Sequence, residues 1–184
     1  MKTPTLETAR LILRPVTLED APSIQKHFAH WDIIKNLSTA VPWPYPADGA
    51  RTFLQGTIMP QVESGDTHVW AITLKDKPNE AIGMINFRLK DSGKGNRGFW
   101  IAREHQRQGL MSEALDPVHD FIFNMLGVES FTVCNSISNI GSRRVKEKTG
   151  AVYMEEVEIP HHTGGNKSEK WLVTKESWLK TLQV

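Results

Sequence analysis

Between residues 67 and 125 the chain changes its hydrophobic period, and that change restricts the fold more than any other feature. Apolar and β-branched residues first fall in three short runs, Thr67–Leu74 (THVWAITL), Ala81–Leu89 (AIGMINFRL) and Arg97–Ala102 (RGFWIA). Runs of this length, bounded by turn residues, read as strands. The turn-rich Lys75-Asp76-Lys77-Pro78-Asn79 predicts that the first two pair as an antiparallel hairpin, and Asp91 to Asn96 is the next turn. From Leu110 the spacing becomes helical: Leu110, Ala114, Val118, Phe121 and Met125 recur at three and four, with Met111, Leu115 and Ile122 alongside. This predicts an amphipathic helix from near Gly109 to before Gly127, kinked at Pro117.

The flanks extend the pattern. Leu11 to Val16 reads as a strand, and Thr17 with Asp20 marks a helix start that runs through Ile24 and Phe28. Val41-Pro42-Trp43-Pro44-Tyr45-Pro46 cannot be helical, because its prolines remove donors and fix φ. Asp48 caps a helix through Phe53, Leu54 and Ile58. Ser130–Val133 reads as a strand, and Ile140–Lys148 as a short helix capped by Asn139 and stopped by Gly150. Ala151–Ile159 and Trp171–Thr174 read as strands joined by the polar loop Thr163-Gly164-Gly165-Asn166. This mixed order predicts an α+β fold around a mostly antiparallel sheet. A length of 184 residues suits a single domain over 1–184.

Charge and cysteine content exclude several function classes. Lys and Arg total 22 against 21 Asp and Glu, a net charge of +1, so no global basic field exists to hold a nucleic acid. The lone Cys134 rules out a disulfide framework and any multi-cysteine metal site, and suits a reducing compartment. No apolar run approaches the ~20 residues of a membrane span. The run Leu11-Ile12-Leu13, clamped between Arg10 and Arg14, is too short for a signal peptide. The expectation is a cytoplasmic protein with no membrane, nucleic-acid or metal partner.

The segment Ile101-Ala102-Arg103-Glu104-His105-Gln106-Arg107-Gln108-Gly109-Leu110-Met111-Ser112-Glu113-Ala114 passes from strand through a polar turn into a helix. Amides at a helix N-terminus lack intrahelical partners and sit at the positive end of the macrodipole, which favours an anion. A glycine in the turn lets backbone approach that anion closely. It is neither a P-loop nor a dinucleotide fingerprint, since both glycine patterns are absent. By itself the unit fits an anion site or a plain structural turn.

Neighbouring motifs carry a more specific resemblance. Glu7-Thr8-Ala9-Arg10-Leu11-Ile12-Leu13-Arg14-Pro15, Trp70-Ala71-Ile72, Ile82-Gly83-Met84-Ile85 and Gly98-Phe99-Trp100-Ile101 precede Gln106-Arg107-Gln108-Gly109-Leu110-Met111, followed by Ser112-Glu113-Ala114-Leu115. Asn139-Ile140-Gly141-Ser142-Arg143-Arg144-Val145-Lys146-Glu147-Lys148-Thr149-Gly150-Ala151 follows. In this order the motifs resemble the GNAT N-acetyltransferase superfamily over nearly the whole chain, and more closely its RimJ/RimL-like branch of ribosomal-protein N-terminal acetyltransferases. The resemblance implies helices on both faces of a mixed, mostly antiparallel sheet, with Arg97–Ala102 and Ser130–Val133 splayed apart. It implies acetyl-CoA as co-substrate, without a metal, in that wedge. The pantetheine arm would meet the strand edge near Ile101, and the pyrophosphate the amides of Gln106, Arg107, Gln108, Gly109, Leu110, Met111 and Ser112. Asn139 and Ser142 would lie at the sulfur end, as donors toward the departing thiolate, with Asn139 also capping its helix. The acceptor would be a primary amine, such as a protein N-terminus or a small molecule, and the protein a monomer or homodimer. A non-catalytic CoA-binding regulatory module of the same fold is the alternative.

Three departures bear on this. Met111 stands where the motif prefers Gly or Ala, which would set the turn farther from the phosphates. Arg107 replaces a glycine common in the branch. Asn96 stands where many relatives carry a glutamate, so the proton acceptor is open, with Glu155, Glu156 and Glu158 as carboxylates on a later strand. Trp43 and Tyr45, on an irregular segment, are candidates for acceptor binding or a packed lid. His161-His162 reads as a solvated loop, His68 and His105 as surface residues, and Cys134 as an inert thiol. Arg143, Arg144, Lys146 and Lys148 read as a solvated helix face, or one of them as a partner of the CoA phosphates.

Overall fold

The structure is a computed structural model that describes residues 1–91, 93–163 and 165–183. Ser92 of the 91–96 turn and Gly164 of the later polar loop lie outside the described residues. The strands are β1 (Leu6–Glu7), β2 (Leu11–Pro15), β3 (Thr67–Leu74), β4 (Gly83–Arg88), β5 (Arg97–Ile101), β6 (Ser130–Ser136), β7 (Val152–Glu158) and β8 (Lys167–Thr174). The α-helices are α1 (Ala21–Phe28), α2 (Trp31–Ile34), α3 (Gly49–Phe53), α4 (Met59–Glu63), α5 (Leu110–Asp120), α6 (Ile140–Lys148) and α7 (Lys175–Thr181). Strands β1 to β5 form a five-stranded sheet in sequence order, and β6, β8 and β7 a three-stranded one. Every ladder in both sheets is antiparallel.

Strand β3 is buried on both of its faces, which explains its nearly unbroken apolar run. Trp70 and Ile72, with Ile85 and Phe87 of β4, pack with Leu110, Met111, Ala114, Leu115 and Val118 of α5. Val69, Ala71 and Met84 point the other way, against Ile24 and Phe28 of α1 and Leu54 and Ile58. Alternate residues thus serve two cores, with helices on both sides of the sheet. Among the described residues no helix is long and apolar enough to cross a membrane.

Local signals place the elements much as expected, with instructive differences. Asp20 accepts the Thr17 amide at 2.8 Å, closing the start of a 3₁₀ turn that leads into α1. The helix after Gly109 is not one continuous α-helix: beyond Pro117, which has no amide to give, it widens into a π-turn over Phe121–Met125. There the Leu126 amide reaches back to the Phe121 carbonyl at 3.0 Å. Strand β6 runs on to Ser136, and β8 begins at Lys167 rather than Trp171. Their polar ends are strand because ladder hydrogen bonds, not apolar side chains, extend them. Three short elements had no hydrophobic period long enough to announce them: β1, α2 and α7.

The two sheets meet where β5 approaches β6. Among the described residues this junction is confined to one end. Gly95 bridges Val133, the Asn96 amide donates to the Thr132 carbonyl at 2.7 Å, and the Thr132 amide donates to Asn96 Oδ1 at 3.0 Å. Beyond it β5 ladders only with β4, so the edge facing β6 opens. Gly95 makes the approach possible, since a Cβ there would lie 2.9 Å from Val133 Cα at φ +81°. Gly95→Ala is expected to lower the unfolding free energy by more than about 1 kcal/mol, through that contact and the positive φ. Urea unfolding checks this, and an unchanged midpoint would mean that the sheets are held together elsewhere.

Candidate active site

Two rims follow the opened strands, one after β5 and one after β6. The first is the turn between β5 and α5. A 3₁₀ turn, Arg103–His105, leads into it and is anchored from below: Glu104 meets His27 Nδ1 at 2.9 Å, and Arg103 meets Asp32 at 3.4 Å. His27 also contacts Glu80 at 2.8 Å, and hydrogen bonds from Lys26 and His27 hold the Glu80 carboxyl down at about 2. Arg107 (φ 60°) and Gly109 (φ 77°) are left-handed, which turns the chain sharply before α5. A glycine at 107 would adopt that φ freely, whereas arginine holds it under mild strain.

Side chains in this turn fold back and leave backbone outward. Gln106 Nε2 donates to the Ile101 carbonyl at 3.1 Å, and Gln108 Nε2 to the Glu104 carbonyl at 2.8 Å. The Glu113 amide donates to the Gly109 carbonyl at 3.0 Å, so the amides of Leu110, Met111 and Ser112 precede the helical ladder. The side chains of Leu110 and Met111, at the start of α5, are buried in the core, so only their backbone can serve an anion. The Met111 side chain fills the core. Arg10, paired with Glu113 at 2.6 Å, brings its guanidinium within 3.8 Å of where a Cβ on Gly109 would lie. Arg10 stands in the opening motif, but nothing there announced this contact, because its partner lies 103 residues away in sequence.

The second rim is the start of α6. Asn139 is its N-cap and accepts the Ser142 amide at 3.0 Å. Between this rim and β5 lies a cavity of about 180 Å³, lined among others by Gly98, Phe99, Cys134, Asn139 and Ser142. Arg97, Lys94 and Lys146 also line it, and no carboxylate does among the described residues. Arg97 is buried, hydrogen-bonded to His119, and burial pulls its guanidinium down to about 9. Its Nε and Nη2, with Asn135 Oδ1 and His161 Nδ1, have no protein partner among the described residues. Buried polar atoms left open on a cavity wall fit a polar ligand. Burial raises the Cys134 thiol, which keeps it protonated at neutral pH.

The far mouth of the cavity is formed by residues 36–38 together with Ile159 and His161. Ser38 bridges His161, the Thr39 amide donates to the Pro160 carbonyl at 3.0 Å, and His162 Nε2 donates to the Val41 carbonyl at 2.6 Å. His161 and His162 are therefore a structured rim rather than a solvated loop. Trp43 is exposed and lies against Trp31, with ring centroids 5.1 Å apart. Tyr45 instead packs edge-on against Phe28 and over Gly49, where a Cβ would come within 2.8 Å of its ring. Neither aromatic lines the cavity itself.

Other expectations are revised by burial. Glu155, Glu156 and Glu158 are all exposed on β7, and none lines the cavity. Their register against β8 is unbroken from Glu155 to Glu158, the shift lying before them between Tyr153 and Glu155, so Glu156 and Glu158 do share a face. His68 is buried in the core and contacts Thr3 at 3.1 Å. Asn96 closes the wedge: besides Thr132, it donates from Nδ2 to the Arg88 carbonyl at 3.0 Å. Among the described residues no group of three or more His, Cys, Asp or Glu could hold a metal.

Comparison with known proteins decides the family. Residues 10–152 match the acetyltransferase (GNAT) domain family. The chain belongs to the GNAT acetyltransferases. This GNAT protein is 28% identical over 154 residues to the uncharacterized N-acetyltransferase YoaA of Bacillus subtilis, covering 80% of this chain and 82% of that one. Its fold is similar to the ribosomal-protein-S5-alanine acetyltransferase of Vibrio fischeri, with TM-score 0.78, 15% identity, and 95% and 98% of the two chains covered. It is also similar to Mycobacterium smegmatis RimJ in complex with a CoA disulfide, with TM-score 0.79, 16% identity, and 94% and 87% covered.

Sequence reasoning singled out neither Arg97 nor Lys146 among the residues lining this cavity. Lys146, taken for part of a solvated face, is 2% exposed, and its Nζ donates to Ser142 Oγ at 2.7 Å. Burial, with Arg97 nearby, pulls its ammonium down to about 7. The charged form is therefore penalised in the folded state, fully below pH ~7, and the penalty fades as pH rises toward the unfolded value of ~10.4. Lys146→Met is thus expected to be more stable than the parent at pH 6, with an advantage that shrinks above neutrality. Denaturation of both proteins from pH 6 to 9 checks this, and a pH-independent difference contradicts it.

Proposed function

We propose that this GNAT protein moves an acetyl group from acetyl-CoA directly to a primary amine, and that the acceptor is the α-amine of a protein N-terminus, such as that of a ribosomal protein. The carrying observation is the wedge: β5 and β6 part beyond Asn96, the cavity there is lined by β5 and by the capped start of α6, and the amide turn follows directly on β5. Acetyl-CoA supplies the activated acetyl as a thioester. The amides of Gln106 to Ser112 would hold its pyrophosphate, with Arg107 adding charge. The β5 edge near Ile101 would align the arm. Asn139 and Ser142 would face the sulfur, with Ser142 as the donor to the leaving group.

The charge of the cavity bears on how the amine becomes reactive. An α-amine has an ordinary pKa of ~8 and must be neutral to attack. Arg97 and Lys146 line the cavity without a carboxylate among the described lining residues. Cations on the walls disfavour a bound ammonium, so an amine entering here sheds its proton to solvent more readily. An ionised side-chain base is then not required, which suits the use of Asn96 as a structural clip. The same lining argues against polyamines as acceptors. Support for a protein acceptor comes from the similarity to the ribosomal-protein acetyltransferase of Vibrio fischeri. Exposed Trp43 on Trp31 offers an apolar platform for the residues that follow the amine.

Thiol release from acetyl-CoA, measured against N-terminal peptides, free amino acids and polyamines, tests the reading. Turnover is expected with peptides bearing a free α-amine and not with polyamines. CoA binding without turnover on any amine would favour the non-catalytic module instead. Gly109→Val is expected to weaken CoA more than tenfold, or over ~1.4 kcal/mol, by placing a branched side chain at a left-handed position in the turn. Unchanged CoA affinity in a folded variant removes the turn from the site.

A further inference from the structure

Lys146 lies one helical turn beyond Ser142, so the two share a face of α6, and both line the cavity. A lysine normally extends its stem until the ammonium reaches water. This one is enclosed, with its Nζ 5.5 Å from the centre of the Phe99 ring. The charged and titratable groups around it are Arg97 on β5, Cys134 on β6 and Glu169 on β8. His119 on α5 stands behind Arg97, and Lys94 also lines the cavity. Glu169 is already engaged, by Arg143 Nη2 at 2.5 Å and Asn135 Nδ2 at 2.9 Å. Among the described residues the hydrogen bond that the Lys146 ammonium makes is to Ser142 Oγ.

The direction of that bond matters. An ammonium can only donate, so Ser142 Oγ is the acceptor and its own proton is spare. Among the described residues no protein group accepts the Ser142 hydroxyl proton. We propose that Lys146 is a positioning residue for the leaving group: it turns the Ser142 hydroxyl proton into the cavity and replaces that proton once it has been given to the departing thiolate. This rests on the reading of the cavity as the place where the thioester is cleaved.

The step balances. The acetyl C–S bond breaks with its electron pair left on sulfur, and an N–C bond forms to the acceptor. The Ser142 proton forms the new S–H bond, and one N–H proton of Lys146 passes to Ser142 Oγ. Lys146 is left as a neutral amine. The proton lost by the acceptor nitrogen goes to solvent, from which Lys146 regains one when products leave. Burial has already brought the two protonation states of Lys146 close together near neutral pH, so the transfer is inexpensive.

The test uses bound CoA and needs no acceptor. The thiol of CoA bound to the intact protein is titrated by the ultraviolet absorbance of its thiolate, with the desulfo-CoA complex subtracted to remove Cys134. The parent, Lys146→Met, Ser142→Ala and the double variant are compared. Lys146→Met is expected to lower the acid constant of the bound thiol tenfold or more. Ser142→Ala should do likewise, and adding Lys146→Met to it should change the constant less than threefold, because Lys146 acts through the serine. A constant within twofold of the parent in Lys146→Met overturns the proposal, as do two substitutions that act independently. Lys146→Leu gives the same comparison if Lys146→Met fails to fold. Failure of the parent to bind CoA would instead overturn the reading of the site, a result plainly different from bound CoA with an unmoved thiol.

Discussion

The wedge of this site depends on a clip a few atoms wide. Asn96 uses both ends of its amide: Oδ1 accepts the Thr132 amide, and Nδ2 donates to the Arg88 carbonyl. A carboxylate has no proton to give Arg88 and would leave that buried carbonyl unpaired. Gly95 next to it lets the two strands come within contact of their backbones. With the sheets tied at this point, the twist of each carries β5 and β6 apart beyond it. The opened edge takes its position from that junction, while His27, Asp32 and Arg10 hold the turn after β5 and Glu169 holds α6 through Arg143.

The cavity that results concentrates positive charge in a dry place. Arg97 and Lys146 are both nearly inaccessible, and burying such groups without carboxylate partners is costly. Part of the cost is offset by aromatic faces: Arg97 lies 5.6 Å from the Phe99 ring centre and 5.8 Å from that of Phe131, and Lys146 lies 5.5 Å from Phe99. Two such groups beside open polar atoms fit the polar occupant that the proposed function calls for. In the proposed reading the departing sulfur gains negative charge here, and donors held in place beforehand would need no reorganisation.

Much of the scaffold was readable in the sequence because periodicity reports burial. The hairpin of β3 and β4, the start of α5 at Gly109 and the Asn139 cap each have a local cause. The site was less readable because its decisive contacts are long-range and polar. Lys146 sits in a run of charges, and nothing local distinguishes it from Arg144 or Lys148; only β5, β6 and β8 closing over α6 bury it. Glu169 and Ser168 hide in β8 for the same reason, satisfied by partners rather than by apolarity. Asn96 looked like a missing base because a motif position was read for its chemistry, whereas its amide serves geometry. One signal was available and unused: Thr174 and Ser177 form a capping box that announces α7.

The central claim is that CoA occupies the gap opened by the Asn96 clip, between the two rims. Amide hydrogen exchange with and without CoA tests it most directly. Protection is expected in two separate stretches, residues 101–112 and 134–142, with β1 to β3 unchanged. Protection confined to another surface, with CoA demonstrably bound, would contradict the account.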